Sequence, residues 1–211
     1  MSADIAARIG ARVAVGAIGG LAWAASLRAY MAEINWTATN VDWAGTFVGI
    51  LLPGVIAGAA LGAATTLDGR ERRGRIGLRW CAVAVLAFAV FPMLLPGQLW
   101  ALLTSGLGGG AIGVALGGLA GGYALGGRPT WRRMVCAVLA ILVIASTAAT
   151  VPLIGGRRLA VTTARGWWVM LLVASLLALL MIAASIPFRR LAALRDAATR
   201  SEIAVETAKA E

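Results

Sequence analysis

At 211 residues, 60% apolar and 13% charged, with a mean hydropathy of +0.86, the chain lies far from the soluble average of about 45–50% apolar and about 25% charged. That composition excludes a water-soluble globular domain and points to an all-α, polytopic membrane protein. The formal charge of +10 does not mark a nucleic-acid partner, because the basic residues stand at the ends of apolar runs, where orientation in a bilayer needs them.

Crossing a hydrocarbon core of about 30 Å takes about 20 apolar residues in a helix. Six stretches qualify, and all must be helical because a lipid-facing backbone has to satisfy its own hydrogen bonds. Residues 1–12 are expected as a cytoplasmic N-terminus, 13–188 as a six-helix bundle, and 189–211 as a cytoplasmic, amphipathic to polar tail. The first span covers 13–32. Gly16, Gly19 and Gly20 inside it favour an uncleaved helix over a secretory signal.

Arg28 is the one charge expected within a span, and an ionisable residue there costs roughly 2.5–3.5 kcal/mol at the helix centre. It lies near the outer end of the first helix, before a loop that carries Glu33, Trp36, Asp42 and Trp43. An Arg28 pair with Glu33 or Asp42 would close the outer end of the bundle. Alternatively, Arg28, Glu33, Trp36, Asp42 and Trp43 together form the candidate ligand-binding cluster, although both tryptophans equally suit interfacial anchors.

The second span, 44–67, carries Gly54, Gly58 and Gly62 at four-residue steps. The third, 80–95, is short and contains Pro92, with an arginine-rich connection over 68–79 before it. The fourth, 99–125, holds Gly109, Gly113, Gly117 and Gly121 in one row and Gly118, Gly122 and Gly126 in another. Small residues at that spacing make a flat face on which another helix can approach closely, and the glycines of the second span offer matching material. The fifth and sixth spans are 134–154 and 167–188, and Pro53, Pro92 and Pro152 are expected to kink their helices. Beyond residue 188 the helix is expected to continue along the anionic inner surface.

Counting arginine and lysine by side gives fifteen within if the N-terminus is inside, against three outside, Arg157, Arg158 and Arg165. The positive-inside rule then predicts both termini in the cytoplasm. Arginine dominates the basic residues, Lys209 being the lone lysine, which reads as the coding bias of a GC-rich bacterium and points to a bacterial plasma membrane.

Chemistry is poorly supplied. Histidine is absent, which removes histidine acid–base catalysis and histidine metal ligation. No carboxylate is expected within the six spans, and no phosphate-binding glycine loop is present. Neither catalytic residues, nor a metal site, nor a cofactor is expected. The partners expected are the lipid bilayer and either a second copy of the chain or another membrane protein.

Leu27-Arg28-Ala29-Tyr30-Met31-Ala32-Glu33, followed by Val41-Asp42-Trp43, Gly45-Thr46-Phe47 and Leu51-Leu52-Pro53-Gly54, resembles uncharacterised multi-pass membrane proteins of actinobacteria over roughly residues 20–100. The resemblance implies a membrane fold and no particular activity. The sequence thus leads to a non-enzymatic scaffold or accessory subunit packing through glycine-rich helices, with a small-solute or lipid transporter as the alternative.

The topology is testable. With Cys81 and Cys136 replaced by alanine, a Thr162→Cys variant is expected to react with a membrane-impermeant maleimide on intact cells. Labelling only after permeabilisation would reverse the orientation.

Overall fold

The computed structural model describes residues 3–36, 41–67, 72–94, 97, 100 and 109–210, and every regular element among them is helical. In chain order these are α1 (Ala3–Ile34), a π-helix (Trp43–Leu51) leading into α2 (Leu52–Ala64), α3 (Arg72–Val83), a 3-10 turn (Ala84–Leu86), α4 (Ala87–Leu94), α5 (Gly109–Gly126), α6 (Thr130–Gly155), a 3-10 turn (Gly156–Leu159) and α7 (Ala164–Ala210).

Among the described residues, five helical stretches are long and apolar enough to cross a membrane: Ala6–Ile34, Trp43–Ala64, Arg73–Leu94, Thr130–Leu159 and Ala164–Arg200. Gly110–Gly126 is apolar but shorter. Of the fourth expected span, 99–125, the continuous helix begins at Gly109, and residues 99 and 101–108 lie outside the described residues.

The third span differs from the sequence expectation. It is not short but runs 22 residues, Arg73–Leu94, so most of the connection assigned to 68–79 is helix. The reason lies in packing. Leu78 is fully buried and shares a small core with Cys81 and Ala64, and arginine is a good helix former whose charge reaches past the apolar face.

Pro53 also behaves differently from a simple kink. A proline ring clashes with the carbonyl four residues back and donates no hydrogen bond. Here the preceding turns are wound as a π-helix, with the Leu52 N–H bonded to the Phe47 carbonyl five residues back, and Pro53 occupies the first turn of α2. The wider turn absorbs the ring. Pro92 and Pro152 lie inside α4 and α6.

α1 and α2 meet backbone to backbone. A methyl group added to Gly16 would land on the Gly58 carbonyl, one on Gly20 on the Gly54 carbonyl, and one on Gly62 on the Arg12 carbonyl. Gly54, Gly58 and Gly62 thus lie against α1 rather than against the glycine rows of α5. In α5, Gly117 receives Val143 of α6, Gly121 receives Met181 of α7, and Gly118, Gly122 and Gly126 receive Leu180, Ala184 and Arg189 of α7. Among the described residues nothing lies within 4 Å of where a Gly113 side chain would start, and the surroundings of Gly109 are outside them.

α7 is the axis of the bundle, touching α1, α2, α3, α5 and α6. Val169, Val173, Leu176, Leu180 and Ala184 recur at three- and four-residue steps and are buried, giving the helix a continuous inward stripe. The opposite faces carry outward residues such as Leu171, Leu179 and Ile182, as do Val15 and Ile18 of α1 and Ile141 and Leu142 of α6. Large apolar side chains facing outward on every side suit lipid, not water.

Gly20→Ala is expected to lower stability by about 1–3 kcal/mol through overpacking, whereas Gly10→Ala, where nothing lies within 4 Å, is expected to be neutral or mildly stabilising. Thermal unfolding in detergent compares the two; equal midpoints would refute the close contact.

Candidate functional site

The sequence placed the candidate cluster at the outer end of α1, and the structure rearranges it. Beyond α6 the chain turns at Gly156, whose φ of 57° and ψ of −145° strain any residue with a side chain and whose N–H caps the helix on the Pro152 carbonyl. The 3-10 turn that follows is pinned by the fully buried Leu159. Thr163 closes the loop, its hydroxyl donating to the Ala160 carbonyl at 2.8 Å and accepting from the Gly166 N–H at 3.0 Å as the cap of α7.

This loop aims two arginines at the last turn of α1. Arg158 Nη2 and Arg165 Nε each stand 2.5 Å from the same oxygen, Glu33 Oε1. Arg158 also donates to the Glu33 carbonyl at 3.3 Å and lies over the Trp36 ring, 5.2 Å from its centroid. Glu33, one of the two acids expected to pair with Arg28, is held instead from across the bundle by Arg158 and Arg165.

Helix electrostatics explain why. Glu33 sits at a helix C-terminus and Arg165 at a helix N-terminus, each at the end whose partial charge matches its own sign. Alone, each position is mildly unfavourable. Together they cancel the mismatch and tie α1 to α7.

The remaining candidates are dispersed over separate contacts. Arg28 Nε donates to Thr46 Oγ1 at 3.3 Å, and Thr46 is buried in the π-helix. Asp42 accepts from the Gly45 N–H at 2.6 Å and caps that helix, so its carboxylate starts an element. Trp43 stacks on Phe47 at 4.4 Å between ring centroids, and both it and Trp36 are exposed, as interfacial anchors are. The structure therefore joins Glu33 and Trp36 to Arg158, while Arg28, Asp42 and Trp43 take part in the entry to the second span.

Arg158 and Arg165 are the site residues that sequence reasoning missed as partners. The available signal was charge arithmetic: three basic residues on one side of the membrane with two acids to meet them. Asp42 could have been read as a cap from its place just before an apolar run.

No family model matches the chain, and neither a curated protein nor a solved structure does.

The clamp predicts a ranked set of effects. Glu33→Ala is expected to cost about 1–2 kcal/mol, modest because the pair is partly exposed. Arg158→Ala should cost more than Arg165→Ala, since Arg158 is half as exposed, 27% against 54%, and also loses Trp36. Unfolding midpoints of the single variants and of the Glu33→Ala/Arg158→Ala double variant measure the coupling; strictly additive losses would rule out the clamp.

Proposed function

We propose that this chain is a non-enzymatic, multi-pass protein of a bacterial plasma membrane, with six spans and both termini in the cytoplasm, acting as a scaffold or accessory subunit. The observation that carries this reading is the uneven cover of its helices. Of the most apolar window of α7, 44% is buried within the chain, against 6% for α1 and 11% for the span that contains α6. Two long apolar helices thus have few fully buried residues and keep exposed apolar faces for lipid or other membrane helices.

The glycines support the same reading. Gly110 and Gly113, at the start of α5, meet nothing within 4 Å among the described residues, so that face is flat and accessible to another helix. At the opposite extreme, the polar residues near Glu33 brace one another, and bracing serves a scaffold better than a solute path does.

Crosslinking in native membranes is expected to give a discrete species larger than the monomer, depleted by Gly113→Leu. Proteoliposomes holding the purified chain are expected to release small polar solutes no faster than empty ones. Solute flux that disappears in Arg28→Ala would replace the scaffold with a transporter.

A further inference from the structure

A lateral groove of about 740 Å³ lies between α1, α2, α4 and α7. Its size falls in the range of about 300–1,000 Å³ usual for small-molecule sites. On the α1 wall, Arg12, Val15, Gly19, Trp23 and Ser26 recur at steps of three and four residues and so share one face. Leu176, Leu179, Leu180 and Ala183 of α7 form the facing wall, with Ala57 and Leu61 of α2 between them.

Two features keep the groove open. α1 meets α2 along one narrow face, through Arg12, Gly16, Gly20 and Ala24. Trp23 then holds α1 at a fixed stand-off, its indole N–H donating to the Leu176 carbonyl at 2.7 Å and its ring meeting Phe88 edge-on at 4.9 Å between centroids. Gly19 adds no bulk, and nothing lies within 4 Å of where its side chain would begin.

The groove is apolar along its length and charged at one end. The exposed Arg12 donates to Thr65 Oγ1 at 3.3 Å, beside the point where Arg190 donates to the Thr65 carbonyl and, at 3.0 Å, to the Leu67 carbonyl. Arg190 is thereby committed to the C-terminus of α2. Arg12 engages Thr65 through one nitrogen, and a guanidinium carries five N–H donors. From Arg12 to Ser26 the helix rises about 21 Å, more than the roughly 15 Å that one leaflet contributes to a hydrocarbon core of about 30 Å.

A ligand matching this outline has a long apolar chain and an anionic head. We propose that the groove binds an acyl chain of an anionic phospholipid from the leaflet at the basic end of the bundle, with Arg12 hydrogen-bonding its phosphate. The phosphate accepts charge-assisted hydrogen bonds from the guanidinium, and the chain covers apolar walls that no part of the described protein covers. A second copy docked in parallel would instead bring its own Arg8 and Arg12 against the same charges. This inference stands independently of the scaffold reading.

The test uses the full chain purified in mild detergent and titrated, under native mass spectrometry, with phosphatidylglycerol or with phosphatidylcholine of identical acyl chains. Phosphatidylglycerol is expected to bind about tenfold more tightly, because choline neutralises the phosphate that both lipids carry and weakens its attraction to the guanidinium, and Arg12→Gln to abolish that preference. Gly19→Leu, which puts a side chain into the groove, is expected to remove binding of both lipids, while Gly10→Leu, equally open but outside the groove, leaves it intact. Elution volume and helical circular dichroism check that each variant folds. Equal binding of the two lipids by the unmodified chain would overturn the proposal, as would undiminished binding in Gly19→Leu; neither result needs the Arg12 variant to fold. A dimer that Gly19→Leu dissociates, with no lipid retained, would assign the groove to a second copy and overturn it equally.

Discussion

Between helices surrounded by lipid there is no hydrophobic drive to associate, since the lipid tails are as apolar as the side chains, and what holds them is close packing. The contact of α1 with α2 meets that requirement through Gly16 and Gly20 on one side and Gly54, Gly58 and Gly62 on the other, where backbone meets backbone with no space for a methyl group. The rest of the site geometry descends from this contact. It fixes the rotation of α1 about its axis, so that Trp23 and Arg12 face the groove and Glu33, two turns beyond Ser26, faces the loop before α7.

The other half of the bundle uses glycine in a different way. α5 approaches α7 with Gly118, Gly121 and Gly122 as recesses that accept Leu180, Met181 and Ala184, so the contact is side chain into backbone. Larger side chains fill the interface, and α7 is the most covered of the five long apolar stretches. Into its contact with α2, α1 sends only the small side chain of Ala24, against Gly54. That asymmetry, a thin backbone contact on one flank and interlocked side chains on the other, leaves a groove beside α1.

The spans were legible because the bilayer imposes a length that few other constraints produce. The predicted run 44–67 and the observed Trp43–Ala64 differ by one residue at the start, and 134–154 sits inside α6. Legibility failed where apolarity and helicity part company: in Arg73–Leu94 the helix extends through arginines because Leu78 and Cys81 are pulled into a core with Ala64, which local hydropathy does not register. The glycine rows were visible as flat faces, yet nothing in their spacing said that Gly54 and Gly58 would meet α1, since a row of small residues specifies closeness and not a partner. In the cluster, Glu33 was conspicuous, but Arg158 is 125 positions away, and only the turn at Gly156 returns it.

The three arginines at the Glu33 end looked like exceptions to the charge asymmetry of the chain. Two of them are accounted for by structure: Arg158 and Arg165 converge on one carboxylate and offset unfavourable helix-end charges that Glu33 and Arg165 would otherwise leave. At the opposite end the arginines meet mainly carbonyls and hydroxyls: Arg190 caps α2, Arg133 donates to the Ala124 carbonyl at 2.9 Å, and Arg12 reaches Thr65. There Arg128 pairs with Asp196 at 2.6 Å, while the neutral oxygens that meet Arg12, Arg133 and Arg190 among the described residues do not cancel their charge. One end of the bundle is therefore electrostatically closed by an internal ion cluster, and the other keeps a positive field on which anionic headgroups can act.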